Sequence, residues 1–461
     1  MSELTTALVR VVRSPAFKFF LVSFLILLLL IPLLMVTGLI AERENRARGV
    51  RAEIARLWGR PQQLSGPFLV VPYTVSGHVM DGNKRIETTI ERRAVFLPDK
   101  VDVKAKTKSK VLHRSIYRAN VYEAQVAIEG RFNSPDLSEV AADAISVRWR
   151  DAIVAFALSD VSGLKQAAVM RVNGSQTIPF APSLGVPAAR QSGIHVRLAG
   201  AGDAVLPAGD APPRAFTFNV DLTFSGSSTL DFTPAARETT VALEADWAHP
   251  SFSGSFLPVE RKISDDGFSA NWRVPHLARS VPQAWSLAEQ GIDRLNPYGF
   301  GVSYYLPIDF YDMVSRAVKY GILFLGLAFM AVFVLELLSG RSVHPVQYLM
   351  VGTALVFFYV LLLSLAEHIG FGWAYLVAAV AMATMLSIYV GRALDSARLG
   401  AIMAGVLAVT YALLYLILRL EDYALLAGAL MGFVMLTFAM FATLKVDWSG
   451  RARPPGGGGD A

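Results

Sequence analysis

Apolar positions are spread unevenly along the chain. After a short basic start with Arg10, Arg13 and Lys18, the run FFLVSFLILLLLIPLLMVTGLIA from Phe19 to Ala41 carries no charge. It exceeds the about 20 residues that cross a bilayer. It is also longer than the roughly 7–15-residue apolar stretch of a cleaved leader, and no small-x-small site follows, so it reads as an uncleaved signal anchor. Pro32 bends this helix rather than ending it. Comparable runs resume only at residue 317 and come in quick succession, at 317–338, 345–366, 371–391, 399–418 and 423–444. The expectation is six transmembrane helices, one in front and a five-helix bundle behind.

Between them the period changes. Residues 42–60, ERENRARGVRAEIARLWGR, place Val50, Ile54, Leu57 and Trp58 on one helical face. This stalk helix either lies on anionic headgroups or, the plainer reading, packs against its own domain. From residue 66 to about 310 alternation is two-fold: GPFLVVPYTV and RIETTIERRAVFLP flank the turn signal DGNK as a hairpin. Further strands are predicted at IYRANVYEAQVAIEGRF, ISVRWRDAIVAFALS, IHVRLAG, AFTFNVDLTFSGS, STLDFTP, TTVALEADW and FSANWRV. The fold class is therefore a membrane α-helical bundle plus a large all-β domain, sandwich-like, as one sandwich or as two in series joined near 200–214. The domains are expected at 1–41 (cytoplasmic start and anchor), 42–316 (the β-rich domain with its stalk), 317–444 (bundle) and 445–461 (a Pro/Gly-rich cytoplasmic tail, disordered by composition).

Composition agrees with a membrane location. Of the 461 residues 53% are hydrophobic and 17% charged, well to the apolar side of a soluble average. There is no cysteine, which excludes disulfides, thiolate metal sites and Cys nucleophiles. The net charge of +6 is accounted for by sidedness. With the N-terminus inside, Arg341, Arg392, Arg398, Lys445, Arg451 and Arg453 all fall on the cytoplasmic side, against Arg419 alone in the short outer loops. Both termini are then cytoplasmic and the β domain lies outside; nucleic acid is not called for.

Candidate chemistry is sparse. DWAHPSFSGSFLP (246–258) offers Ser253 and Ser255 but no GxSxG elbow, and its turn context lacks the strand-to-helix geometry that motif needs. Trp247, His249, Phe252 and Phe256 are candidates for a partner-binding surface, with core and corner packing as the simpler use of the same rings. SDDGF (264–268) is a turn with too few spaced oxygens for calcium. The seven histidines show no metal-ligand spacing; His344 and His368 lie about 36 Å apart at 1.5 Å per helical residue. Ionisable groups in the bundle cluster at span ends: Arg316, Lys319, Glu336, His344, Glu367 and His368. A proton-coupled transporter would place them mid-membrane. For Glu336 and His344 a pair holding the turn LLSGRSVHP is the simplest use.

Four ordered strings carry a resemblance: HRSIYRANVYEAQVAIEGRF (113–132), WAHPSFSGSFLPVERKISDDGFSANW (247–272), RAVKYGILFLGLAFMAVFVLE (316–336) and HPVQYLMVGTALVFFYVLLLSLAEHIGF (344–371). The chain resembles the CreD family of bacterial inner-membrane proteins, also called cell-envelope integrity proteins. That resemblance implies a multi-pass protein of the bacterial inner membrane with a periplasmic domain, tied to envelope-stress and β-lactam responses. It implies no established reaction and no cofactor. The expected function is non-enzymatic support of envelope integrity, the β domain binding an envelope component or a membrane-protein partner while the helices anchor it in the lipid bilayer and relay occupancy. The alternative is a transporter or flippase of an envelope-related substrate.

Overall fold

A computed structural model describes residues 15–81, 84–186, 191–208, 211–304, 310–419 and 424–443. The chain divides into two compact units, Met1–Ala47 with Ile308–Ala461, and Arg48–Pro307. The tail at 445–461 and the turn residues Gly82 and Asn83 lie outside the described residues.

The helices are α1 Pro15–Trp58, α2 Phe310–Lys319, α3 Gly321–Ser339, α4 Pro345–Ile369, α5 Phe371–Ala393, α6 Ala397–Arg419 and α7 Ala424–Thr443. Among the described residues α1, α3, α4, α5 and α6 are long and apolar enough to cross a membrane. The span expected from 317 starts later, because 310–319 form a separate amphipathic helix that ends one residue before α3. Pro32 sits inside α1 without ending it. Anchor and stalk are consequently one element.

In the helical unit α1 buries Val22, Leu25, Leu29, Leu33, Val36 and Ile40, spaced three and four apart, and turns Phe20, Phe24, Ile31, Leu34 and Met35 outward. Lipid is as apolar as leucine, so close packing rather than water release joins these helices, and small residues let backbones approach. Two glycines do this for α1. A Cβ on Gly352 would stand 2.1 Å from Leu29 Cδ1 and 2.7 Å from Phe329 Cζ, and one on Gly321 would stand 3.1 Å from Leu33 Cδ1. Gly391 and Gly400 bring α5 and α6 equally close.

The β unit opens with four long strands, β1 Gln62–Asp81, β2 Lys84–Phe96, β3 Lys100–Arg114 and β4 Tyr117–Phe132. Then come β5 Ala144–Val147, β6 Ile153–Leu158, β7 Val169–Val172, β8 Gln176–Pro179, β9 Ala181–Pro182 and β10 Gly193–Arg197. The last group is β11 Phe216–Ser227, β12 Thr229–Phe232, β13 Glu238–Ala245, β14 Pro250–Gly254, β15 Glu260–Ser264, β16 Gly267–Pro275, β17 Ala284–Ser286 and β18 Phe300–Tyr304. One sheet runs β14-β18-β12-β1-β6-β10-β9, with β2 and β5 also on β1 and β17 on β2; the other runs β15-β16-β13-β3-β4-β11-β7-β8. Both are mixed, since β1 lies parallel to β12 and β3 parallel to β13. The β1/β2 hairpin holds register from Leu69 opposite Phe96 to Asp81 opposite Lys84.

Alternation points one face of each sheet into a shared core. Leu69, Val71, Tyr73 and Val75 of β1 meet Val101 and Val103 of β3, Val126 and Ile128 of β4, and Phe216, Phe218, Val220 and Leu222 of β11 in one buried cluster. Val205 and Leu206, within the stretch read as a join, belong to that same cluster. The first sheet is covered on its other face too, by Trp285, Ile292 and Leu295 over Phe68, Val70 and Ala155. This explains why β6 is buried at every position. The C-terminal turns of α1 rest on this unit: Ile54 packs on Ala119 and Val121 with Val50 and Trp58 beside it, and Trp58 Nε1 donates to the Tyr122 carbonyl at 3.2 Å. Leu57, assigned to the same face, is instead 77% exposed.

Candidate functional site

Residues 246–264 run along one side of the β unit and cross from one sheet edge to the other. β14 closes the first sheet by pairing with β18, Pro250 opposite Tyr304 and Gly254 opposite Phe300. β15 closes the second by pairing with β16. Alternation in β14 leaves Ser251 and Ser253 in solvent and turns Phe252 inward. Its ring stands edge-on to Phe268 and Trp272, 5.6 and 5.8 Å between centroids. Phe256 is edge-on to Phe300 at 5.9 Å and Trp247 to Tyr304 at 6.5 Å. All three rings are half-buried against the main core, so they plug the open side between the sheets.

The polar atoms of the segment fasten it. Trp272 Nε1 donates to the Phe256 carbonyl at 3.2 Å, Trp247 Nε1 to the His249 carbonyl at 3.1 Å, and Ser255 Oγ to the Pro297 carbonyl at 2.7 Å. The His249 ring is exposed. Gly254 (φ +97°) is required where it stands, since a Cβ there would meet the Gly299 carbonyl oxygen at 2.3 Å. Immediately beyond the plug, Leu257, Val259 and Ile263 are 66, 72 and 52% exposed, and β15 is exposed at all its positions. The sequence reading singled out the aromatics and passed over these aliphatics, although the alternation Leu257-x-Val259 ahead of a charged strand was visible.

Elsewhere in the β unit, buried polar groups hold architecture. Arg279, 5% exposed, donates to the carbonyls of Val281 and Ala236 at 3.0 Å each, and burial lowers its pKa to about 10. Burial pushes the Asp231 carboxyl up to about 6 and raises the Tyr122 hydroxyl, which donates to the Thr229 carbonyl at 2.6 Å. Among the described residues no group of three or more His, Asp or Glu side chains is placed to hold a metal ion.

The span-end residues sort into two clusters. Glu336, 4% exposed, forms an ion pair with Lys18 of α1 and accepts from Val343 N at 3.0 Å and Tyr348 Oη at 2.8 Å. Glu336 thus holds the α3–α4 turn, but without the expected His344: that ring caps α4, Nδ1 accepting from Val346 N at 3.3 Å while Gln347 Oε1 accepts from His344 N at 2.9 Å. At the opposite end Glu367 accepts from Tyr311 Oη at 3.1 Å and faces Arg43 Nη1 of α1 at 3.8 Å. Arg316 Nη2 donates to the Leu418 carbonyl at 3.3 Å. Lys319 and His368 are exposed, the latter with Nδ1 3.0 Å from the Ser364 carbonyl oxygen.

The family model for the inner membrane protein CreD matches residues 14–449, which takes in both units. The chain belongs to the CreD family. It is similar to the inner membrane protein CreD of Escherichia coli strain K12, with 31% identity over 424 residues, covering 92% of this chain and 91% of that relative. CreD membership and the apolar helices together make this an inner-membrane protein embedded in the lipid bilayer. The match covers the 246–264 segment and both ion-paired bundle ends alike.

Proposed function

We propose that this CreD-family protein supports envelope integrity by binding rather than by catalysis, through the β unit held outside the inner membrane. In this reading the two sheets form a single sandwich, six helices span the bilayer with α7 as the sixth, and both termini are cytoplasmic. The observation that carries the reading is the surface at 257–263. Leu257 and Val259 just ahead of β15 and Ile263 on it are exposed, and among the described residues β15 pairs on one side only, next to the aromatic plug. Such an edge offers backbone donors and acceptors to an extended segment, with side-chain pockets for specificity, while its short length and the charges of Glu260, Arg261 and Lys262 guard it against indiscriminate pairing. A protein partner that adds an extended segment there is the occupant this surface suits best.

Arg341 and Asp395 pair at 2.8 Å across the α3–α4 and α5–α6 loops, which supports placing those two loops on one side, the side that the Lys/Arg bias assigns to the cytoplasm. The transport alternative has less support. Among the described residues the cavity lined by Phe324, Leu325, Phe358, Tyr359 and Tyr411 measures about 10 Å³, room for one water at most.

The test is a pair of edge-blunting changes, Val259→Asp and Ile263→Lys, scored for protein abundance and for envelope phenotype in cells, with photo-crosslinking from position 259. Normal abundance with loss of phenotype and of the crosslinked product supports the reading. Full phenotype with both charges in place overturns it.

A further inference from the structure

At the end of the bundle where Glu367 lies α5 and α6 are bridged by Tyr375, whose Oη donates to the Tyr411 carbonyl at 2.7 Å and whose ring stands 5.2 Å from that of Tyr415, leaving a cleft on the exposed side of the seam. This cleft is an open apolar groove of about 620 Å³, walled by Trp373, Leu376, Val380 and Ala383 on α5 and by Ala412 and Tyr415 on α6, with Arg419 at its mouth. Three observations identify an occupant. The first is length. From Gly372 to Ala383, and from Ala408 to Arg419, each wall runs about 16 Å at 1.5 Å per residue, which matches one leaflet of a hydrocarbon core about 30 Å thick. The second is lining: every side chain along the groove is aliphatic or aromatic up to its end.

The third is charge. The Arg419 guanidinium lies 5.3 Å over the Tyr415 ring and is steadied by that residue, Nε and Nη2 donating to its hydroxyl at 3.2 and 2.8 Å. Among the described residues no carboxylate is within ion-pair distance of it, and Arg419 is exposed. A guanidinium has five N–H donors in a planar fork suited to phosphate, so the Nη1 pair and one Nη2 hydrogen are left for a ligand.

We infer that this groove is a binding site for an anionic glycerophospholipid, one acyl chain lying between α5 and α6 and the phosphate held by Arg419. Among the described lining residues Arg419 is the one cation at the end of this leaflet-deep apolar channel, which matches an amphiphile with one negative charge. A zwitterionic headgroup would bring an ammonium into the same neighbourhood and gain less. Trp373, 68% exposed at the same depth, suits the headgroup boundary that tryptophan prefers. The inference is independent of what the β unit binds.

The test uses the full chain in detergent, with phosphatidylglycerol added and lipid adducts counted by native mass spectrometry. One phosphatidylglycerol should be retained in preference to phosphatidylethanolamine. Arg419→Gln should weaken its retention about tenfold, the scale of one lost charge-assisted contact, and Arg419→Lys should weaken it less. Ala412→Phe, which fills the groove from an exposed position, should remove the adduct. Arg419 and Ala412 are both exposed, so melting temperatures within a few degrees of the parent are expected. On the unaltered chain, excess diacylglycerol of equal chain length should leave the adduct in place. Equal retention by the parent and both groove variants, equal retention of the two phospholipids, displacement by diacylglycerol, or a dimer of this chain in place of the adduct would each overturn the proposal.

Discussion

The ion pair between Lys18 and Glu336 gives the helical unit its most measurable property. Glu336 is 4% exposed and Lys18 23%, so neither charge is well solvated, and removing one member of a buried pair costs about 3–5 kcal/mol. Lys18 is the more open of the two and Glu336 keeps two further donors, Val343 N and Tyr348 Oη, which places Lys18→Met near the low end, at about 3 kcal/mol. Glu336→Gln removes the charge and keeps one oxygen to accept from Val343 N, while its amide NH2 can donate to the Tyr348 hydroxyl. In that background Lys18→Met should cost under about 1 kcal/mol, leaving a coupling energy of about 2 kcal/mol. Denaturant unfolding of the four proteins in bicelles, followed through helix content, closes the cycle. Additive costs, with coupling near zero, would refute the argument that this pair ties α1 to the rest of the unit.

Other expectations concern packing and pH. Gly352→Ala should destabilise the same unit by about 1–3 kcal/mol through overpacking against Leu29 and Phe329, read as a lower unfolding midpoint. Trp272→Ala, which empties a fully buried site, should cost about 3–5 kcal/mol in the β unit, whereas Trp247→Ala, half-buried, should cost about half as much; protease resistance in membranes ranks them, and the reverse order would mean that Trp247 is the main plug. Asp231 holds its proton to about pH 6 when folded, against an ordinary 3.8, so the folded state binds more protons between those values. The contribution of Asp231 to stability is then full below about pH 4 and is lost as pH rises through 6, by at most about 3 kcal/mol. Asp231→Asn should flatten that slope.

The sequence was most legible where one physical rule acted alone. Unbroken apolar runs located α4, α5 and α6 closely, and period-two alternation located β1, β2, β4, β11 and β13. β3 escaped because its inward positions are only Val101, Val103, Ala105 and Thr107, while its other face is a row of lysines that reads as solvated coil. The stretch ISVRWRDAIVAFALS was read as one strand but breaks at Trp149–Asp151, a 3-10 turn whose tryptophan is buried. Start and partner of a span were harder than its existence: α2 hides before α3, and the cations for Glu336 and Glu367 come from α1, at the other end of the chain. The aromatic segment was visible as composition, yet its role as a plug depends on Phe268, Trp272, Phe300 and Tyr304 from later strands.

The parallel seams have a consequence for delivery. β1 and β3 emerge early, but their parallel neighbours β12 and β13 are synthesised far later, and β12 in turn awaits β18. No leading fragment of this unit is a finished object. While the second half is still being synthesised, two long hairpins wait with bare flanks, open to mispairing with any passing strand. A chain stalled or clipped between β4 and β12 would be all adhesive and no fold, and the sheets can close only once Tyr304 has arrived.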